Sequence, residues 1–167
     1  MNFKGLVKAV LFISSFAFAT STLASVNYAG TDCKEEFGTG IDLDWDGSAY
    51  NTGTGSLYIV CHVPHSDFDG FLHNGAIEGG FFTAIDENAS DNMNCRFRSI
   101  WQTGSTINGV WAASSSTTGH GNHIQKVGLA GTDQENSDSV YILSCRIPGT
   151  DAVSARRSAL RGYRVDQ

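Results

Sequence analysis

The sequence predicts an all-β fold, an antiparallel β-sandwich of jelly-roll or immunoglobulin-like type held by two disulfides. Three observations lead there. Nineteen glycines are spread through 167 residues, many in turn pairs such as Asp69-Gly70, Asn74-Gly75 and Gly79-Gly80, and no long stretch carries a helical period. Two runs are built alike, LYIVCHVP from Leu57 to Pro64 and VYILSCRIP from Val140 to Pro148. In each, β-branched and aromatic residues lead to a cysteine, a long polar residue, a β-branched residue and a proline that cannot donate to a ladder. Finally, four cysteines, Cys33, Cys61, Cys95 and Cys145, form an even set in a chain that opens like an exported one.

That opening is MNFKGLVKAVLFISSFAFATSTLAS, in which Lys4 and Lys8 precede an apolar run from Ala9 to Ala19 and a small-residue stretch ending at Ala24. It reads as a secretory signal peptide over residues 1–24. The apolar run is too short to span about 30 Å of hydrocarbon, so no membrane span is expected after cleavage. The compact, lysine-led signal is bacterial in style and points to the periplasm or the medium. Residues 25–167 are then one β-sandwich domain, long enough for a real core. Without Lys4 and Lys8, nine lysines and arginines face seventeen aspartates and glutamates, a net charge of −8. Nucleic acid is therefore not an expected partner, because affinity for a phosphate backbone is built from clustered cations.

Of the three disulfide connectivities, Cys33 to Cys61 and Cys95 to Cys145 are preferred. The first joins neighbours across one loop, and the second joins NCRFRSIW to VYILSCRIP, two strand-like runs able to lie side by side. In CRFRSIW the alternation places Arg96 and Arg98 on one face and Cys95 and Phe97 on the other. The end of the tail DAVSARRSALRGYRVDQ alternates as well and predicts a last strand. Its arginines, Arg156, Arg157, Arg161 and Arg164, suit either pairing with the acidic loops or an anion patch, and pairing is the preferred reading.

The segment GIDLDWDGSAYNTGTG admits two readings. Asp42, Asp44 and Asp46 followed by Gly47 match the opening of a calcium loop, although Gly53 stands where such a loop needs a bidentate glutamate. Alternatively they form the wet side of an exposed strand whose Ile41, Leu43 and Trp45 face inward. No cofactor is required by either reading, and calcium is the one ion suggested here. The histidines raise a transition-metal site, with His62 and His65 in H-V-P-H and His120 and His123 in H-G-N-H. Residues three apart on a strand point to opposite faces, so each pair chelates only across a turn, and surface histidines are the simpler reading.

No nucleophile elbow, H-E-x-x-H, P-loop or dinucleotide fingerprint occurs. The order Cys33, CHVP at Cys61, NCRF at Cys95, YILSCRIP at Cys145 and a closing SALRGYRVD resembles a group of small secreted bacterial two-disulfide β proteins of uncharacterised function. Those commonly carry proline where this chain has His62. The resemblance implies export and a disulfide-bonded sandwich and brings no activity.

Binding is thus expected rather than catalysis. Carbohydrate or cell-surface recognition leads, since a rigid sandwich presenting Trp45, Tyr50, Trp101 and Trp111 from loops is able to stack sugar faces while Asn, Asp and Thr bond hydroxyls. The alternatives are a structural or interaction role in the bacterial envelope and, third, a metal-dependent hydrolase. The Ser/Thr/Gly-rich stretch from Gln102 to Asn122 reads as a long loop or a strand pair with a mobile tip, and is expected to project from one end of the sandwich with Trp111 near its base and His120 and His123 near its exit.

Overall fold

Side-chain alternation sorts each run onto a face before any long-range contact is considered. In β5 (Leu57–Val63) the odd positions are buried and Tyr58 and His62 are exposed; β11 (Val140–Ile147) buries Tyr141, Leu143, Cys145 and Ile147 in the same way. The two similar runs are neighbours, paired antiparallel from Tyr141 opposite Val63 to Ile147 opposite Leu57.

The chain is described by a computed structural model over residues 25–64, 76–132, 139–151 and 156–166. The expected signal segment, His65 and His73 lie outside the described residues. Twelve strands occur among them. One sheet has the order β10 (Gly121–Thr132), β6 (Ile77–Asp86), β12 (Ala159–Asp166), β4 (Ala49–Asn51) and β3 (Ile41–Leu43), with β1 (Ser25–Ala29) sharing an edge of β12 with β4. The other runs β2 (Cys33–Phe37), β5, β11, β7 (Asn94–Thr103) and β8 (Thr106–Trp111), with the short β9 (Ser115–Ser116) against β7.

From β4 the chain crosses to β5, returns to β6, crosses to the β7–β8 hairpin, and alternates again through β10, β11 and β12. One sheet therefore contains β4, β12, β6 and β10 in that order, and the other β5, β11, β7 and β8. This is the jelly-roll winding of two Greek keys across two sheets; in an immunoglobulin-like sandwich the first two strands share a sheet.

Both disulfides formed as expected, Cys33–Cys61 and Cys95–Cys145. Each joins residues directly opposite one another, Cys33 with Cys61 on β2 and β5, Cys95 with Cys145 on β7 and β11. All four sulfurs sit in the core layer of one sheet, and neither bridge crosses between sheets. The sheets are held together by burial of Leu57, Ile59, Phe97, Leu143 and Ile147 against Phe82, Leu160, Tyr163 and Val165. At about 25 cal/mol per Å² of apolar surface, that contact supplies most of the gross driving force. Polar links also cross the layers, from the Tyr163 hydroxyl to the His62 carbonyl oxygen at 2.9 Å and from the Asn51 side-chain amide to the Ile147 carbonyl oxygen at 2.9 Å.

Three local expectations are corrected or narrowed. Gly79-Gly80 is no turn: β6 runs through it unbroken, paired to β10 and β12, and glycine is needed at position 80 because a Cβ there would stand 2.0 Å from the Arg164 carbonyl oxygen on β12. Of the two forms open to the stretch after Gln102, its first part takes the strand pair and not the long projecting loop. It folds back as β8, with Thr103 opposite Thr106 and a turn through Gly104 at φ 61°. Trp45 and Leu43 do not face inward, since β3 ends at Leu43 and Trp45 stands in the following turn, 95% exposed.

Candidate functional site

The aromatic residues expected to share a platform are dispersed by the register. Arg98 lies opposite Trp111 and Trp101 opposite Asn108, three residues further along β7. An odd spacing on a strand reverses the face, so the two tryptophan rings point to opposite sides of the hairpin. Tyr50 belongs to the other sheet, opposite Asp42 and Ala159. Trp45 stands alone on the β3–β4 turn.

The aspartates are also parted. Asp42 pairs with Arg157 at 3.1 Å and Asp46 with Arg161 at 2.9 Å, while Asp44 accepts the Trp45 backbone N–H at 2.7 Å. His62 is on β5, whereas His120 and His123 flank the start of β10 in the other sheet, at the opposite end of the sandwich. Among the described residues no three His, Cys, Asp or Glu side chains gather where an ion would sit.

The structure instead assembles a surface on the outer face of the disulfide-bearing sheet. The registers place His62, Ile142, Arg98 and Trp111 in one row across β5, β11, β7 and β8. The next row is Lys34, Val60, Ser144 and Arg96, starting from β2. Trp111, 39% exposed, carries two guanidinium groups on its ring, with Arg96 Cζ 3.7 Å and Arg98 Cζ 4.3 Å from the centroid. Quadrupole attraction to an exposed ring contributes about 0.5–1 kcal/mol per cation. Gly109, the residue two before Trp111 on β8, makes room: a Cβ there would stand 2.7 Å from Arg98 Nε.

Beside this cluster, toward the β7–β8 turn, lies an open groove of about 560 Å³ lined by Ile100, Trp101, Gln102, Gly104, Ile107 and Val140. Ile107 is 71% exposed and Val140 49%. Apolar walls with one amide among them suit a flat, amphipathic ligand. Sequence reading placed Arg96 and Arg98 on one face but missed their role, because nothing local says that Trp111 returns beside them. Of the groove residues the sequence singled out Trp101, and the others gave no signal of their own.

No family model matches the chain, and no curated protein matches it. Among solved structures it is similar to a family two carbohydrate esterase from Cellvibrio japonicus, with 9% identity and a TM-score of 0.44 over 87% of this chain. The chain covers 34% of that enzyme's length. It is also similar to CBM86, a low-affinity xylan-binding module from Roseburia intestinalis, at 9% identity and TM-score 0.46, covering 86% of this chain and 95% of that one. Both likenesses are remote.

Proposed function

We propose that the protein is an exported, non-catalytic binding module that takes carbohydrate on the outer face of its disulfide-bearing sheet. The observation that carries the reading is the junction of a partly exposed tryptophan, two arginines and an apolar groove on one sheet face. A pyranose offers an apolar C–H face and a rim of hydroxyls. Trp111, Ile107 and Val140 supply surface for the first, and Gln102, Arg96 and Arg98 supply donors for the second. Export is supported by the two disulfides, which persist in oxidising compartments.

Isothermal titration with soluble plant and bacterial polysaccharides tests the reading. Trp111→Ala should weaken binding by about 1–3 kcal/mol, as loss of a central aromatic anchor does, and should shift the melting temperature by only a few degrees. Failure of the folded protein to bind any glycan would remove the reading. An interaction role in the envelope would then stand first, with the solvent-projecting Trp45 as its natural anchor.

A further inference from the structure

We infer that the ligand of this face is anionic, an acidic glycan whose carboxylates are held by Arg96 and Arg98. This rests on the binding-module reading and narrows its substrate class. The starting point is charge. Arg146, Arg156, Arg157, Arg161 and Arg164 are each paired with a carboxylate, from Asp91, Glu87, Asp42, Asp46 and Asp166 respectively. Arg96 and Arg98 form no ion pair among the described residues, although acidic side chains outnumber basic ones, 17 to 11, over the whole chain. These two unpaired arginines are also adjacent, two residues apart on one face and sharing one ring.

Their geometry is that of donors held ready. A guanidinium lying on an aromatic ring spends its face on the ring and keeps its in-plane N–H groups for a partner, and its fork matches the two oxygens of a carboxylate. Arg98 Nε is buried and has no hydrogen-bond partner. Gly109 permits the close seat of this side chain: a Cβ there would stand 2.7 Å from Arg98 Nε and 3.0 Å from its Nη2, closer than the 3.2 Å to the Ser99 carbonyl oxygen. Bringing two like charges together costs energy unless something compensates. The ring does so in part, and a bound oxyanion would complete it. Lys34 and His62 extend the same face across β2 and β5, so successive charges of a polymer find further donors.

The ligand is argued to be a glycan rather than nucleic acid because the groove beside the arginines is apolar and the chain as a whole is acidic. A duplex would bring a dense line of phosphates against that acidic surface, whereas uronate residues carry one charge per sugar and leave their C–H faces for Ile107 and Val140.

The experiment measures affinity for polygalacturonate, its fully methyl-esterified form and neutral xylan at 20 and 200 mM salt, with a DNA duplex as a further polyanion. Polygalacturonate should bind at least tenfold more tightly than its ester and weaken as salt rises. The double variant Arg96→Gln/Arg98→Gln should lose at least tenfold for the acid while melting within a few degrees of the wild type. Gly109→Ala, which displaces Arg98 without removing a charge, should show the same loss. Equal affinity for the acid and its ester, unaffected by the arginine variant, would overturn the anionic assignment and leave the carbohydrate reading standing. Absence of binding to every glycan would remove both. Tighter binding of the duplex than of polygalacturonate would overturn the glycan assignment.

Discussion

Asp86 is fully buried at the end of β6, and both of its carboxylate oxygens are occupied. One accepts the Asn88 backbone N–H at 3.2 Å and the Ser158 hydroxyl at 3.1 Å; the other accepts the Met93 N–H at 2.9 Å and the Thr117 hydroxyl. Four segments separated in sequence, ahead of β7, after β9, before β12 and at the end of β6, are thereby tied to one side chain. Hydrogen bonds to a charged group contribute about 1.5–3 kcal/mol each and do not add when they share an acceptor. Asp86→Ala should therefore cost about 3 kcal/mol in urea unfolding with the slope unchanged, and Asp86→Asn somewhat less. Tyr163 is the second residue with a consequence beyond its own contacts. Burial pushes its phenol well above the ordinary value, the Asp32 carboxylate and Tyr28 add to this, and Tyr28, stacked on it at 4.9 Å, is raised for similar reasons. An unfolded phenol ionises near pH 10, about the ordinary value. The native state thus holds its proton where the unfolded state has lost it, and stability, complete below about pH 10, falls as pH rises beyond it. Melting curves at pH 9 and 11 should show a drop that Tyr163→Phe makes shallower, at a cost of about 1 kcal/mol at neutral pH for the lost bond to His62.

At the scale of elements, the strand pair β5–β11 is the spine of one sheet, and each member is stapled to its outer neighbour. The bridges close loops of 28 and 50 residues in sequence separation. Restricting the unfolded chain stabilises by roughly 2–4 kcal/mol per bridge, with the longer loop giving slightly more. Replacing Cys95 and Cys145 together by serine should lower the melting temperature more than replacing Cys33 and Cys61, as differential scanning calorimetry would show. This pairing was preferred from sequence, because Cys33 and Cys61 are neighbours across one loop while Cys95 and Cys145 lie in two strand-like runs able to sit side by side. The β7–β8 hairpin was legible only as one of two alternatives. Its second strand, TINGVW, contains Asn108 and Gly109 and reads as loop or strand, and only the ladder from Thr103–Thr106 to Arg98–Trp111 makes it a strand.

At the scale of the whole molecule, charge is sorted by position. The tail arginines neutralise the β3–β4 hairpin and the segments near Glu87, the reading preferred over an anion patch at that place. The three aspartates of the suggested calcium loop are consumed in this way or in the turn itself. Millimolar calcium added to chelator-stripped protein should leave the melting temperature unchanged. A rise, abolished in Asp44→Ala, would instead establish a calcium loop, since a ligand that binds only the folded state stabilises it by mass action.

Of the three cysteine connectivities the sequence only favoured one; what it determined by itself is the class of fold and the main strands of the core. These are properties of local alternation: a residue two places on returns to the same face whatever surrounds the strand, and burial then follows from its side chain. It also placed Arg96 and Arg98 together. Tertiary structure decided everything that depends on which strand comes next to which. The winding that distinguishes a jelly roll from an immunoglobulin-like sandwich, the separation of Trp101 from Trp111, the dispersal of the histidines between sheets and the meeting of Trp111 with two arginines are all matters of register between distant segments. A shift of one residue would have turned Trp111 to the other face. Register is fixed by packing the whole core at once, and no stretch of this chain contains that information alone.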